Sequence, residues 1–260
     1  LPAIADQGAL SLLFILESIF VGALGKIPSS ALTFGRKALS FSWVHTHGIA
    51  SAALPLISQS IGAKNHRESE IYAANALFFG FIFSAALAVF GFIFAPQLLA
   101  AFGAKGLTLT QAIPYLRALC FTSISMSALW ILRAIFKAAG DANKAMWISA
   151  ASSLGTLLSM PPLVFGLGAI PKLGLTGAGI SQFLGRAAGV GLGLFYLFFG
   201  KSEYISLAFK NLGLGTASIR EIIVRGFPQS LQMLLSMGYE LTTLVIISRF
   251  NDAAVASLGI

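Results

Sequence analysis

The chain has 260 residues, of which 57% are hydrophobic and only 10% are charged. Soluble domains carry about 25% charged residues, so this chain cannot cover its own surface in water, and most of its apolar side chains must face lipid or other helices. Its net charge of +8 does not indicate nucleic acid as a partner, because the basic residues of membrane proteins collect in loops beside anionic lipid.

Seven apolar segments follow one another, separated by clusters of glycine, proline and charged residues. Each is about 20 residues long or longer, which is enough to cross about 30 Å of hydrocarbon. The predicted spans are 2–24, 38–61, 71–95, 108–135, 144–168, 174–200 and 228–250. This pattern predicts an all-α polytopic membrane protein with about seven transmembrane helices.

The longest connection contains the amphipathic sequence SIREIIVRG, which predicts a helix on the membrane surface. The chain is thereby divided into an N-terminal six-helix lobe at 1–200, a cytoplasmic linker at 201–227 and the first helix of an incomplete second lobe at 228–260. More Lys and Arg residues lie in the loops after the second, fourth and sixth spans than in the other loops. The positive-inside rule then predicts a cytoplasmic N-terminus, in a multi-pass protein of the plasma (inner) membrane.

Glu17 places a carboxylate deep inside the first span. An acid at that depth is costly, so it indicates a functional group or one member of a buried pair. In the functional interpretation, Glu17 carries a coupling ion across the membrane. In the structural interpretation it pairs with a basic residue. Arg117 in the fourth span lies at a similar depth, whereas Arg186 lies deeper and fits less well.

Other polar residues in or near the spans are weaker candidates. Glu240, in the middle of the seventh span, could bind a cationic substrate or form a hydrogen bond with a second half of the protein. Near the inner end of the first span, we expect Gln7 to border a substrate cavity and Asp6 to be an interfacial charge. His45 and His47 are two residues apart and therefore point to different helix faces, so no metal site is predicted.

Two local patterns predict structure rather than chemistry. Gly185, Gly189 and Gly193 form a ridge of small residues in the sixth span, which predicts close helix packing. Asp141, directly after a glycine, is typical of a helix N-cap. The sequence has no Ser/His/Asp spacing, phosphate-binding loop or paired carboxylates, so we predict that the protein is not an enzyme and needs no cofactor.

Three blocks of sequence are similar to one transporter family. They are the opening span with SIFVGALG after its acid, ALPLISQSIGAKNHRES, and LRAIFKAAGDANKAMWISAASSLGTLLSMPPLVFG followed by LGLTGAGISQFLGR. With these blocks the chain resembles the multidrug and toxic compound extrusion (MATE) family, most of all its bacterial DinF-like branch. The resemblance implies two six-helix lobes around a cavity that opens to either side. This chain would supply the first lobe, the linker and the seventh helix.

The sequence departs from the family pattern at four places. Glu17 stands where the family usually has Asp, Thr156 and Met160 stand where DinF-like members have Asn and Asp, and Ser236 stands where many members have an acid. The lobe keeps one carboxylate, which suits a proton better than a sodium ion. The predicted coupling residue is Glu17, and the predicted residues of the substrate cavity are Glu240, Gln7, Thr156, Met160, Ser236 and Arg117.

We therefore expect a monomeric secondary active antiporter in the lipid bilayer. By the resemblance, it exports amphipathic or cationic small molecules by alternating access, in exchange for protons or, less readily, sodium ions. A flippase for lipid-linked sugars is an alternative that would need a strongly basic cavity, for which Arg36, Lys37, Arg117 and Arg186 are candidates. A non-transporting membrane scaffold is another, and it would tolerate the loss of Glu17.

Overall fold

The described residues form a bundle of long helices joined by short turns. A computed structural model describes residues 2–166, 171–200 and 215–248, without the side chains of 2–7, 9–12, 41 and 240–248. The helices are α1 (Pro2–Gly22), α2 (Lys26–Gly62), α3 (His66–Ile93), α4 (Ala95–Ala101), α5 (Gly106–Ala138), α6 (Ala142–Pro161), α7 (Gly174–Phe198) and α8 (Thr216–Ser248), with a π-helical turn (Pro162–Gly166) after α6. The described residues contain no strand, and the predicted all-α fold is confirmed.

Three helical segments are long and apolar enough by themselves to cross a membrane: His66–Ile93, Gly106–Ala138 and Ala142–Gly166. A shorter apolar segment, Leu13–Gly22, lies in α1. On α3 many large apolar side chains are exposed, among them Phe78, Phe81, Phe90 and Phe92. An exposed apolar surface of this kind is stable when it faces lipid.

Two helices begin about three turns earlier than the sequence predicts. The helix predicted over 38–61 begins at Lys26. Pro28 does not prevent this earlier start, because it lies in the first turn, where a missing N–H costs little. The helix predicted to begin at Pro228 begins at Thr216 and includes the predicted surface helix as its first turns. Residues 201–214 of the predicted linker lie outside the described residues.

Apolar cores occupy the two ends of the bundle. One contains Ile57, Phe136 and Ile148 and lies towards the turns at 63–65 and 139–141, which we call the inner end. The other contains Val21 and Val164 and lies towards the turn at 23–25, which we call the outer end. Between these two cores along the helices are several buried polar side chains: Glu17, Ser152, Thr156, Ser181 and Gln182.

The turn between α5 and α6 has the predicted N-cap. Gly140 takes the positive φ of 77° that ends α5, and the Asp141 carboxylate accepts a hydrogen bond of 3.1 Å from the Lys144 N–H. Partial burial alone would raise the pKa of Asp141, but the hydrogen bonds and charge of Lys144 outweigh it and lower this pKa. The cap therefore stays ionised at neutral pH, and its contribution to stability is lost only as the pH falls through that lowered value.

The glycine ridge lets α7 lie directly against α6, as predicted. A Cβ atom at Gly189 would lie 2.8 Å from the Ile148 carbonyl oxygen and 2.7 Å from the Leu129 side chain. A Cβ atom at Gly185 would collide with the backbone and hydroxyl of Thr156. The close approach of the two helices therefore depends on the absence of side chains at these positions.

A second close glycine contact joins α8 to α2 near the inner end. A Cβ atom at Gly226 would lie 2.6 Å from the Gly48 carbonyl oxygen, and the Ser230 hydroxyl donates to the Val44 carbonyl oxygen at 3.3 Å. Nearby, the Tyr72 hydroxyl on α3 donates to the Glu221 carboxylate. Beyond these contacts α8 exposes large side chains, including Leu235 and Tyr239. Among the described side chains of α8, those that contact the lobe therefore lie mostly in its first part.

The packing of α7 gives a test with an internal control. We expect Gly189→Ala to destabilise the protein by about 1–3 kcal/mol, because its methyl group must displace the Ile148 backbone or push the helices apart. Gly191 has no heavy atom within 4 Å of its virtual Cβ, so Gly191→Ala should be neutral or stabilising by up to about 1 kcal/mol. Thermal unfolding of both variants in detergent measures the difference. Equal unfolding temperatures would contradict the packing described.

Candidate functional site

Glu17 lies in the buried polar layer, and only 3% of its surface is exposed. Arg36 on α2 forms an ion pair with one carboxylate oxygen, at 2.5 Å. The other oxygen accepts hydrogen bonds from the Tyr115 hydroxyl, at 3.3 Å, and from the side-chain amide of Gln182. Donors from α2, α5 and α7 therefore converge on one acid of α1 and balance the cost of its burial.

Arg36 holds α1 by more than the ion pair. Its Nη1 donates to the Ser18 hydroxyl at 3.2 Å, and its guanidinium lies 5.4 Å from the centre of the Phe14 ring. The side chain remains 30% exposed. The arginine thus holds one face of α1 while its side chain stays partly exposed.

Tyr115 reaches Glu17 because glycines lie on both sides of its ring. A Cβ atom at Gly35 would lie 2.6 Å from the ring, and one at Gly179 would lie 3.2 Å from it. The ring therefore fills space that larger residues on α2 and α7 would occupy, and its hydroxyl is delivered to the carboxylate.

The pairing of Glu17 with Arg117, which the structural interpretation predicted, was wrong. Arg117 is exposed, and its guanidinium lies 5.0 Å from the centre of the Phe92 ring. The estimate of depth on α5 was sound, but residues two apart on a helix point in different directions. Tyr115 therefore faces Glu17, and Arg117 faces away from it.

Arg36 was not predicted as the partner of Glu17, because it lies between the two predicted spans 2–24 and 38–61. Helical side chains lean towards the N-terminus of their helix. On the antiparallel hairpin of α1 and α2, Arg36 leans towards the turn and Glu17 leans away from it, which brings the two groups to one level. Gln182 could have been found as an amide inside an otherwise glycine-rich apolar helix, whereas nothing in the sequence singled out Tyr115.

A small cavity of about 40 Å³ borders Glu17. The predicted site residues Thr156 and Met160 line it, together with Gln182 and Arg186. The Thr156 hydroxyl already donates to the Ser152 carbonyl oxygen at 2.9 Å. A cavity of this size holds two or three water molecules. It is far too small for a drug-sized ligand, which needs about 300–1,000 Å³.

A second cavity of about 180 Å³ shares Gln182 and Arg186 with the first. Arg36, Tyr115, Gln182 and Arg186 line it, and Trp43 forms part of its apolar wall. Both arginines that border Glu17 therefore also face a space large enough for a small organic group.

The other predicted site residues lie apart from Glu17 or outside the description. Ser236 is exposed on α8, where its hydroxyl donates to the Gln232 carbonyl oxygen at 3.0 Å, and it lines an open cleft of about 580 Å³. The side chains of Gln7, Asp6 and Glu240 lie outside the described residues. Their predicted roles stay predictions.

The two histidines pack against aromatic rings. His45 lies 5.0 Å from the Phe83 ring centre. His47 stacks on Trp43 at 6.0 Å and lies 4.8 Å from Trp130. Among the described residues, no group of three His, Cys, Asp or Glu side chains could hold a metal ion.

Comparison with known proteins places this lobe among transporters. The MatE family model matches residues 2–161. The chain is 24% identical over 217 residues to the probable multidrug resistance protein YoeA of Bacillus subtilis, covering 83% of this chain and 47% of that protein. It is 25% identical over 251 residues to the multidrug export protein MepA of Staphylococcus aureus, covering 95% of this chain and 54% of that protein. The chain thus spans about half the length of the curated relatives it matches.

Solved structures share the same arrangement of helices. A MOP superfamily transporter from Pyrococcus furiosus matches with a TM-score of 0.89 at 21% identity, over 99% of this chain and 56% of the other. An outward-facing multidrug resistance MATE family transporter matches with a TM-score of 0.85 at 21% identity, over 95% of this chain and 53% of the other. At this level of identity, the likeness shows the fold.

The ion pair gives a second test. In Arg36→Gln the buried carboxylate loses its counter-charge, so we expect the free energy of unfolding to fall by about 1–3 kcal/mol. This is less than the 3–5 kcal/mol lost when a fully buried pair is broken, because Arg36 is partly exposed. The double variant Glu17→Gln, Arg36→Gln should recover most of that loss. Arg117→Gln removes the same charge from an exposed site and should change stability by less than about 0.5 kcal/mol. Chemical unfolding in detergent measures all three, and additive losses in the double variant would exclude a stabilising pair.

Proposed function

Because the chain belongs to the MatE family, whose members are transporters and not enzymes, we propose that it forms part of a secondary active efflux antiporter. The protein would export amphipathic, often cationic organic compounds in exchange for protons by alternating access. The names of its relatives YoeA and MepA, a multidrug resistance and a multidrug export protein, support this class of substrate. The observation that carries the proposal is the buried carboxylate of Glu17, paired with the partly exposed guanidinium of Arg36.

Three positive charges compete for that carboxylate in the proposed exchange. Arg36 occupies it in this structure, and a proton or the cation of a substrate would take its place. Its partial exposure lets the arginine turn away when either arrives. The internal pair then keeps Glu17 neutralised in the unloaded protein, so that no uncompensated charge crosses the membrane.

The geometry around Glu17 favours a proton over a sodium ion. All three groups that contact the carboxylate do so through donors: a guanidinium, a phenol and an amide N–H. A sodium ion needs several oxygen ligands, whereas a proton needs one acceptor and a route. The cavity of about 40 Å³ beside Glu17 has room for the waters that would conduct it.

The bulky part of a substrate would bind elsewhere, because the cavity beside Glu17 cannot hold it. The open groove along α8 has Leu231, Leu235, Ser236 and Tyr239 in its wall and is formed by this helix alone. We place the substrate there, between the lobe and a second half of the transporter. Glu240, which the sequence predicts to bind a cationic substrate, stays a candidate for that role.

The expected membrane arrangement follows from the same proposal. The inner end, with its basic turns, would face the cytoplasm together with the N-terminus, in the plasma membrane. The protein would work as a monomer in the bilayer. The packing of α8 on α2 at Gly48 and Gly226 would close the cytoplasmic side, and the cleft would open outwards.

A flippase for lipid-linked sugars is the second candidate. Arg36 and Arg186 line the cavity of about 180 Å³, which supports a negatively charged substrate. Of the other two candidate basic residues, both Arg117 and Lys37 are exposed, and the cavity is small for a sugar diphosphate on a lipid. A membrane scaffold remains a third candidate, one that makes no use of a buried acid.

Substrate-induced proton release tests the proposal. In inverted vesicles with an imposed pH gradient, cationic dyes should release protons from the intact protein, and Glu17→Gln should reduce this signal to background while dye still binds. Glu70→Gln removes an acid near the start of α3, away from the site, and should release protons as the wild type does.

The contrary results are equally specific. Normal release from Glu17→Gln would make Glu17 structural and point to Glu240 or to residues beyond the described part of the chain. Absence of release from the wild type with every dye would favour the flippase.

A further inference from the structure

Arg117 is an exposed cation on a face of the bundle that the proposed exchange does not use. It lies on α5, and its guanidinium is 5.0 Å from the centre of the Phe92 ring of α3. Phe121, one turn further along α5, is also exposed, and it meets the Phe92 ring edge-on with the ring centres 5.8 Å apart. We call these three side chains the Arg117 cluster.

The cluster lies beside a closed seam between α3 and α5. A Cβ atom at Gly91 would lie only 3.0 Å from the Cys120 sulfur, which is buried between the helices. The two helices thus pack closely at this level, and Arg117 stays on the surface. The Phe92 ring holds its guanidinium there by a cation–π contact.

Among the described residues, Arg117 has no carboxylate partner. Glu17 is paired with Arg36. The other acids whose side chains are described lie at or near the inner end of the bundle: Glu68, Glu70, Asp141 and Glu221. A charge inside an apolar segment is costly when nothing balances it, so Arg117 calls for an anion from outside the lobe.

Two helices place the cluster at one boundary of the hydrocarbon. On α5, Arg117 is 20 residues from Lys137 in the last turn, which is about 30 Å of helix. On α3, Phe92 is 22 residues from Glu70 near the start of the helix, which is about 33 Å. The hydrocarbon is about 30 Å thick. With the charges of the inner end at one surface, the cluster therefore lies at the headgroups of the other leaflet.

The exposed face of α5 changes polarity at Arg117. The exposed residues on the outer side of it include Thr110 and Gln111, and the next exposed residue on the inner side is Phe121. On α3, Phe90 is exposed at the same end of the helix. Polar groups followed by apolar ones are expected where a helix passes from headgroups to acyl chains. This order agrees with the depth found along the two helices.

We propose that the Arg117 cluster binds the phosphate of an anionic glycerophospholipid, such as phosphatidylglycerol, in the leaflet at the outer end. The guanidinium donates to two phosphate oxygens, a pairing that suits its planar set of N–H groups. The acyl chains lie along Phe121 and the exposed rings of α3. This lipid site goes beyond the proposed exchange, and its occupation does not require transport.

The charge of Arg117 also determines which lipid fits. An anionic phospholipid balances the guanidinium, whereas phosphatidylcholine carries its own cation, which competes for the same phosphate. The attraction of one basic residue to an anionic lipid surface is modest. We therefore expect selection between lipids at this position rather than tight binding.

Photocrosslinking of the intact protein in nanodiscs tests the site. The probe is phosphatidylglycerol with a diazirine on its headgroup, kept at a low fraction in phosphatidylcholine, and mass spectrometry locates the labelled peptides. We expect label on residues 90–94 and 117–121. Arg117→Gln should reduce this label about fivefold, which is the usual worth of one basic residue near an anionic membrane. Arg67→Gln removes an exposed charge at the inner end and should leave the label at the cluster unchanged.

Four results would overturn the proposal. Wild-type labelling in Arg117→Gln would exclude the guanidinium as the phosphate ligand. Absence of label on both segments of the wild type would mean that lipid does not reach the cluster. Equal labelling by a phosphatidylcholine probe with the same diazirine would exclude selection for an anion. Loss of the label on addition of inorganic phosphate would make the cluster a site for the free ion.

Unfolding temperatures identify a variant that fails to fold. If Arg117→Gln fails, Arg117→Lys takes its place, because lysine keeps the charge but lacks the two-pronged geometry. The label should then fall by a smaller factor than in Arg117→Gln. Labelling of Arg117→Lys equal to that of the wild type would contradict the proposed pairing with two phosphate oxygens.

Discussion

The cost of a carboxylate inside a helix bundle determines much of this structure. Glu17 is almost fully buried, and an isolated charge there would destabilise the fold by several kcal/mol. Three neighbouring helices each supply a donor to it, from Arg36, Tyr115 and Gln182. The acid therefore ties α1 to three other helices of the lobe, and the lobe in turn holds the acid beside a small cavity.

The sequence was sufficient to predict the helices, because long apolar segments between polar turns have few other structures open to them in a membrane. It also singled out Glu17, since a charge inside a span is conspicuous. Rotation about a helix axis was harder to predict. Depth along α5 pointed to Arg117, and the face that meets α1 is set by packing, where Gly35 and Gly179 make room for Tyr115. The extra turns of α2 were missed because the proline and the basic residues in KIPSSALTFGRK resemble a loop.

Small residues and polar residues have complementary tasks in the bundle. Glycines on α7 bring it against α6, which narrows the space beside Thr156 and Met160 to about 40 Å³. Buried hydroxyl groups such as that of Thr156 donate hydrogen bonds to carbonyl oxygens of their own helix. Their donors are thus occupied locally, whereas the Glu17 carboxylate depends on donors from other helices.

The contact between Gly48 and Gly226 also has a mechanical meaning. The first part of α8 is also held by the buried Ile222 side chain and the Ser230 hydroxyl, whereas the described side chains of its later part are largely exposed, so the helix could tilt about this region. From Gly226 to the last described residue, Ser248, α8 extends about 33 Å at 1.5 Å per residue, so a tilt of about 10° would move its far end by about 6 Å. A small rotation at the glycines would thus be amplified into a displacement wide enough to change access to the cleft.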